Sequence, residues 1–296
     1  MATNAKSRSS RRVILITIAV LLALIALFLA WVMLSQGLTP RRMARITLDT
    51  TLAVLDSRRV ESYNKGAYTN LVFLHQSTGA NLINEGQLRN TLADSGLALW
   101  DQGYNFLRLF DPAGATTRYS YSLPNDNTDP IGLAQVFSQR EYPLPLNTLS
   151  GLLQHEVIIL KSCFEPTSRI ESDAELEEYK AAYIAMRQRM SQHPEKLFIL
   201  LTQPPLNPAE TDPEQARRAR ALASWMVSDE FKGNLPNLAV FDLFDRLAVT
   251  GGSGPEASML RPEYRNGGDS HPNTRANQEI APELSDFILH SVENFR

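Results

Sequence analysis

Cysteine is nearly absent from this chain of 296 residues, because Cys163 is the only one. An internal disulfide is therefore excluded. The sequence contains no G-x-G-x-x-G fingerprint and no P-loop, which argues against the usual nucleotide sites. It also lacks an H-E-x-x-H sequence and any cluster of Cys and His, so we predict neither a catalytic metal nor another cofactor.

Basic residues are scarce after residue 45. Residues 1–45 hold seven Lys and Arg and no acids, although the formal net charge of the whole chain is only -3. The remainder therefore has 22 basic against 32 acidic side chains, a net charge of about -10. A surface of that sign repels phosphate backbones, so nucleic acid is not an expected partner.

One long apolar run is present, at residues 13–35, VILITIAVLLALIALFLAWVMLS. About 23 residues at roughly 1.5 Å each give about 35 Å, enough to cross a hydrocarbon core of about 30 Å. The run is longer than the apolar part of a signal peptide and lacks an A-x-A-like cleavage site. We therefore expect residues 13–35 to anchor the protein in a cell membrane. Four basic residues before the run and three after it favour a cytoplasmic segment 1–12 and an extracytoplasmic C-terminal domain.

Residues 36–67 are predicted to form a neck that is mainly helical. Residues 68–296 then alternate between strands and helices, with strands expected at 71–75, 97–100, 156–161, 196–203 and 238–244. Strands separated by helices predict right-handed crossovers. The fold class is therefore a three-layer α/β/α domain around a roughly five-stranded, mostly parallel sheet. A helix is expected over 81–96, and 101–130 is expected to form a long loop in which Tyr104, Phe106, Tyr119 and Tyr121 pack.

Polar residues follow the predicted strands, at the edge where parallel sheets bind ligands. Ser77 comes directly after the first strand, in HQSTG, and Asp269 and His271 lie in DSHPN before the last helix. A serine nucleophile needs a base within hydrogen-bond reach, and the base needs an orienting group. Ser77, His271 and Asp269 supply these three types. The two stretches could instead be a helix cap and a capped turn.

Other side chains that could be reactive have simpler interpretations. His155, His193 and His290 have no partner pattern and are expected at the surface, whereas His75 either shapes the pocket or ends the strand. Cys163 is expected to be a small buried residue.

These motifs resemble those of the SGNH hydrolases, also called GDSL esterases or lipases, over about residues 68–293. The resemblance implies a flavodoxin-like fold, with Ser77 as the nucleophile, His271 as the base and Asp269 as its orienting group. The strand 196–203 that runs into prolines, and His-Pro-Asn before the last helix, are similar to the family. Some members with an Asp-x-His form of the last motif O-acetylate exported polysaccharides.

The sequence departs from the family where an oxyanion asparagine is expected, because Lys161-Ser162-Cys163-Phe164 stands there. The candidates for oxyanion or substrate binding are therefore Gly103, Asn105 and backbone N–H groups near Ser162, with Asn125 and Asn127 as alternatives.

Three functions remain open at this point. The first is hydrolysis of an acyl or acetyl ester on an exported carbohydrate, lipid or small molecule. The second is O-acyl transfer to a cell-envelope polysaccharide by the same triad. The third is a non-catalytic, membrane-tethered binding or scaffold protein, which a wide separation of Ser77 and His271 would favour.

Overall fold

The computed structural model of the protein describes residues 24, 25, 28, 31, 39–104, 108–124, 127–251 and 254–296. The chain divides into two units, Met1–Leu52 and Ala53–Arg296. Helix α1 (Pro40–Glu61) begins in the first unit and ends in the second. The predicted neck, 36–67, contains this helix, and the sheet lies in the second unit.

The second unit is built on five strands: β1 (Asn70–His75), β2 (Ala98–Gly103), β3 (Val157–Lys161), β4 (Leu197–Leu201) and β5 (Leu238–Phe241). All pairings are parallel, and the order is β2-β1-β3-β4-β5. The predicted five-stranded parallel sheet is thus confirmed, and its order is that of flavodoxin-like folds. Every residue of β1, β3 and β4 is buried, which explains why these strands are almost uniformly apolar.

Helices cover both faces of the sheet. They are α2 (Ser77–Asn84), α3 (Leu88–Asp94), α4 (Pro130–Phe137), α5 (Thr148–Leu152), α6 (Phe164–Ser168), α7 (Asp173–Met190), α8 (Pro213–Val227), α9 (Asp229–Lys232), α10 (Leu243–Leu247) and α11 (Thr274–Phe295), with a 3₁₀ turn at Pro262–Tyr264. One core lies between the sheet and helices α4, α5, α7 and α8. The other lies between the sheet and helices α2, α3, α10 and α11, which places the start of α2 beside the start of α11.

The helix predicted at 81–96 is wrong, because two helices, α2 and α3, occupy that stretch. The break falls at Gly86 and Gln87, and Gln87 adopts a positive φ of 59°. A Cβ atom at Gly86 would clash with Ala281 and would lie 2.6 Å from the Asn277 carbonyl oxygen. Glycine therefore permits a close approach of the α2 end to α11, which a continuous helix would not allow.

The predicted membrane anchor, 13–35, lies outside the described residues except for Leu24, Ile25, Phe28 and Trp31. Within the part of the chain that the structure describes, no helix has the length and apolar character needed to cross a bilayer.

Two of the three histidines expected at the surface are buried. His155 is fully buried, and both of its ring nitrogens have polar partners. Tyr121 OH lies 2.7 Å from Nε2 and Asn70 Oδ1 lies 2.9 Å from Nδ1, so the ring is buried without losing hydrogen bonds. His193 is also buried, whereas His290 is exposed as predicted. Cys163 and the tyrosines of the 101–130 loop are buried, in agreement with the packing that was predicted for them, whereas Phe106 lies outside the described residues.

Candidate active site

Ser77 is the first residue of α2 and follows β1 after a single connecting residue, Gln76. Strand β1 lies between β2 and β3, so the chain leaves the sheet there at the point where the strand order reverses. Crevices at such points are where open α/β sheets bind ligands. A Cβ atom at Gly79 would clash with His75, so this glycine lets the first turn of α2 pack directly on the end of β1. The serine is therefore held on a short, tightly packed turn.

The loop before α11 brings His271 to this serine. His271 Nε2 lies 2.7 Å from Ser77 Oγ, and His271 Nδ1 lies 2.7 Å from Asp269 Oδ1. Ser77 and His271 are 194 residues apart in the sequence, yet with Asp269 they form one hydrogen-bonded chain. The wide separation that would favour a non-catalytic protein is not found.

Asp269 orients the His271 ring through two contacts. Its Oδ1 accepts the backbone N–H of His271 at 2.9 Å as well as the ring contact at Nδ1. The backbone N–H chiefly, with the ring contact in support, holds the pKa of the Asp269 carboxyl below its usual value. An ionised Asp269 accepts Nδ1–H, which leaves Nε2 free to accept the hydroxyl hydrogen of Ser77.

Sequence reasoning did not identify Asn207, which fixes the shape of this loop. The Asn207 side-chain amide donates to the carbonyls of Gly267 and Asp269, at 2.9 and 3.1 Å. Its backbone N–H donates to Ser270 Oγ at 3.0 Å, and Ser270 donates in turn to Glu210. Asn207 follows β4 at the same sheet edge as Ser77. This position is the one feature of the sequence that could have pointed to a role in the site.

Phe164 is a second contributor that sequence reasoning did not identify. Its ring meets the His271 imidazole edge to face, with centroids 5.0 Å apart and planes at 87°. Phe164 is the first residue of α6 and the last of the stretch Lys161-Ser162-Cys163-Phe164. An apolar ring there restricts the orientations open to His271.

Of the predicted oxyanion residues, the structure describes Gly103 and Ser162. Gly103 ends β2 and lines a separate cavity of about 160 Å³ with His75, Arg89 and Asp101. Asn105 lies outside the described residues. The Ser162 hydroxyl accepts from Tyr183 OH at 3.1 Å and contacts Thr167, within the core. Cys163 N–H, a backbone group near Ser162, donates to the Thr128 carbonyl at 2.9 Å.

Asn127 is the alternative whose side chain lies near Gln76, the residue before the nucleophile, whereas Asn125 lies outside the described residues. Asn127 Oδ1 lies 3.4 Å from Gln76 Nε2, and Asn127 Nδ2 donates to Glu165 at 2.8 Å. The Gln76 carbonyl accepts the N–H groups of Gly79 and Ala80, at 2.8 and 3.1 Å. The two N–H groups before these, on Ser77 and Thr78, have no helical acceptor because a helix begins there.

His75 belongs to a second, buried histidine–aspartate pair beside the first. Its Nε2 lies 3.0 Å from Asp101 Oδ2, and its Nδ1 lies 3.0 Å from the Gln76 carbonyl oxygen. Arg89 also pairs with Asp101 and donates to the Asp111 carbonyl at 2.8 Å. This group holds the carbonyl that begins α2, and therefore the turn that carries Ser77.

No protein-family model and no curated protein matches the sequence. Among solved structures, one named as an acylhydrolase from Bacteroides fragilis is 12% identical, with a TM-score of 0.49 over 81% of this chain and 95% of that chain. A GDSL-like lipase from Bacteroides thetaiotaomicron is 11% identical, with a TM-score of 0.46 over 85% and 96%. One named as a platelet activating factor from Streptococcus pneumonia is 16% identical, with a TM-score of 0.47 over 83% and 98%. At this identity the resemblances concern the fold.

Proposed function

We propose that this protein is an SGNH-type serine hydrolase that cleaves an acyl or acetyl ester. The observation that carries the proposal is the continuous hydrogen-bonded chain from Ser77 through His271 to Asp269, with both links at 2.7 Å. A nucleophile, a base and an orienting carboxylate in that geometry are the elements of a serine triad, whatever their order in the sequence.

In the proposed reaction Ser77 Oγ attacks the ester carbonyl while His271 Nε2 takes the hydroxyl proton. The imidazolium that forms is stabilised by Asp269 and returns the proton to the departing alcohol, which leaves an acyl group on Ser77. Water, activated by the same histidine, then releases the acid and restores the serine. The proposed donors to the developing oxyanion are the N–H groups of Ser77 and Thr78, which have no acceptor within α2, and the amide of Asn127. One such donor is typically worth about 2.7–4 kcal/mol.

A fluorophosphonate probe tests the nucleophile, because it reacts with an activated serine. We expect it to label the protein, and Ser77→Ala to abolish labelling. Ser95→Ala is the matched control, since Ser95 is an exposed serine in the turn after α3 and lies outside the site, and it should label at the wild-type rate. Labelling that persists in Ser77→Ala would reject Ser77 as the nucleophile.

Acyl transfer is the second candidate, favoured by the Asp-x-His form of the last motif. It uses the same acylated Ser77 but delivers the acyl group to a sugar hydroxyl instead of water. Product analysis after mixing the domain with an activated acetyl donor and oligosaccharides separates the two reactions. Acetate as the sole product across many acceptors would leave hydrolysis as the activity.

The location in the cell is a proposal that rests on the sequence. The apolar run 13–35 would hold the protein in a membrane by a single helix, with the domain on the extracytoplasmic side. Alkaline carbonate extraction of membranes tests it, because an anchored chain stays with the lipid. Release into the supernatant would reject the anchor.

A further inference from the structure

Helix α2 presents one row of side chains to the groove that contains the triad. Ser77, Asn81 and Glu85 lie four residues apart, so they follow one another along one face of α2 and its last turn, over about 12 Å. Asn266 and Thr274 line the same groove from the other side, and its volume is about 380 Å³. The groove therefore begins at the nucleophile and continues along the helix.

The groups that line the groove are polar and, in part, without partners. The side chains of Asn81, Asn266 and Thr274 make no hydrogen bond with any described residue. No aliphatic residue larger than proline and no Phe, Tyr or Trp is among the described residues that line it. An acyl chain gains its binding energy from apolar contact, at about 25 cal/mol for each Å² buried, and this groove offers little such surface.

Glu85 is held in the groove by a buried amide. Asn277, which is 1% exposed, donates from Nδ2 to Glu85 Oε2 at 2.8 Å and to the Pro272 carbonyl oxygen at 3.2 Å. Gly86 allows this contact, because it brings the end of α2 close to the backbone of α11 at Asn277. The carboxylate is thus fixed in position, and its Oε1 has no described partner.

The charge of the groove is negative. Glu85 and Asp269 both line it, and no Lys or Arg is among its described lining residues. A substrate that carries its own carboxylate or phosphate would be repelled there, since like charges at short range are unfavourable. Fixed carboxylate and amide oxygens, by contrast, accept hydrogen bonds from hydroxyl groups.

We propose that this groove binds the alcohol part of the ester and that this part is an uncharged, hydroxyl-rich group such as a neutral sugar. The inference rests on the proposed function for its reaction, because it places the scissile ester at Ser77. It goes further by selecting neutral glycans over lipids and over acidic glycans. The hydroxyl groups would donate to Glu85 and Asn81 and accept from the amides of Asn81 and Asn266.

The experiment compares three esters: an O-acetylated xylo-oligosaccharide, an O-acetylated oligogalacturonide and p-nitrophenyl acetate. We expect the wild type to prefer the neutral oligosaccharide over the anionic one by at least about tenfold in kcat/KM. Asn81→Ala should lower kcat/KM for the neutral oligosaccharide by about tenfold, the effect of one or two lost hydrogen bonds. Glu85→Gln keeps an oxygen acceptor for Asn277 but removes a negative charge from the groove. It should therefore reduce the ratio of kcat/KM for the neutral oligosaccharide to kcat/KM for the anionic one. In both variants the change in kcat/KM should be smaller for p-nitrophenyl acetate than for the oligosaccharides, because this ester is too short to reach Asn81 and Glu85.

The matched control is Asn84→Ala, which removes an exposed amide from the same helix on the side of the 160 Å³ cavity. Equal use of the neutral and anionic esters by the wild type, or losses in Asn81→Ala and Glu85→Gln no larger than in Asn84→Ala, would overturn the inference.

Binding to Ser77→Ala separates failure of the groove from failure of the proposed function. Saturation-transfer NMR should detect the neutral oligosaccharide and not the oligogalacturonide, and the signal should fall when Asn81→Ala is added. If the wild type hydrolyses none of the three esters, the hydrolase proposal fails, yet this binding pattern would still support the groove. If the wild type hydrolyses p-nitrophenyl acetate through Ser77 but Ser77→Ala binds neither oligosaccharide, the groove inference fails alone.

Discussion

Two histidine–aspartate pairs lie at the same edge of the sheet, and their surroundings differ sharply. In the pair of His271 and Asp269 the side chains are 34% and 49% exposed, whereas in the pair of His75 and Asp101 they are 3% and 7% exposed. The exposed pair leaves one ring nitrogen for Ser77. The buried pair has no nitrogen to offer, because both face oxygen acceptors. The same two residue types therefore suit proton transfer in one place and structural support in the other.

The contacts of the buried pair explain its structural character. Both ring nitrogens of His75 face oxygen atoms of the protein, and Arg89 pairs with the same Asp101 carboxylate. The ring is therefore fixed by its neighbours and has no nitrogen left for a substrate. Its contribution is instead to hold the Gln76 carbonyl at the start of α2.

The largest expected effect is on activity and falls on the exposed pair. His271→Ala removes the general base, so we expect ester hydrolysis to fall by about 10³- to 10⁴-fold. The free energy of unfolding should change by less than about 1 kcal/mol, because the side chain is partly exposed and its partners can be solvated. Steady-state kinetics and urea denaturation measure the two effects. A loss of activity in proportion to a loss of folded protein would contradict the assignment.

The next effect is on stability and falls on the buried pair. Asp101→Ala leaves His75 and Arg89 without their shared carboxylate, and breaking such a buried group typically destabilises a protein by about 3–5 kcal/mol. Asp269→Ala is the matched control and should lower the free energy of unfolding by no more than about 1 kcal/mol. Equal losses in the two variants, measured by chemical denaturation, would remove the distinction between the pairs.

The sequence was sufficient for most of the fold. All five strands are found within about three residues of their predicted bounds at each end, since long apolar runs between helices leave few alternatives. The strand predicted at 238–244 ends at Phe241, because Asp242 caps the short helix α10 through its contact with Asp245 N–H. The helix predicted at 81–96 failed because a close approach to α11, which no local pattern encodes, interrupts it at Gly86.

The candidate site was predictable only in part. The position of Ser77 directly after the first strand, and of His271 in the loop before the last helix, predicted that the two meet at one edge of the sheet. Asn207 and Phe164 also follow strands at this edge, but that position alone does not predict what their side chains contact. Their contacts with the loop of Asp269 and with the His271 ring depend on the path of irregular segments.

Lys161 is a buried basic residue that, unlike His75 and Arg89, has no carboxylate partner among the described residues. By strand alternation it lies on the same face of the sheet as His75, it is fully buried, and its Nζ donates to the Ser162 carbonyl oxygen at 2.9 Å. It forms no salt bridge with a described residue. Burial lowers the pKa of Lys161 to about 8. Lys161→Met should therefore raise the free energy of unfolding at pH 7 by about 2–3 kcal/mol.

The pH dependence gives this prediction its sign. The folded protein releases the Lys161 proton near pH 8, and the unfolded chain releases it near 10.5. Between these values the unfolded chain holds more protons, so the stability of the wild type rises with pH. The gain in free energy of unfolding from Lys161→Met should reach its full size below pH 8 and should vanish by about pH 10.5. Denaturation of both proteins across this range measures the difference, and a variant that is less stable at pH 7 would contradict it.

The smallest expected effect concerns the ring that packs on the exposed histidine. Phe164→Leu keeps an apolar side chain but removes the edge-to-face contact with His271, which is worth about 0.5–1.5 kcal/mol. A less restricted imidazole spends less time aligned with Ser77, so kcat should fall by about 3- to 10-fold with KM nearly unchanged. Phe137→Leu, in the core beside Phe198, is the control for stability and should leave kcat unchanged in the folded protein. Equal kcat values in the two variants would contradict this role of Phe164. They would show that Asp269 is sufficient to orient the His271 ring.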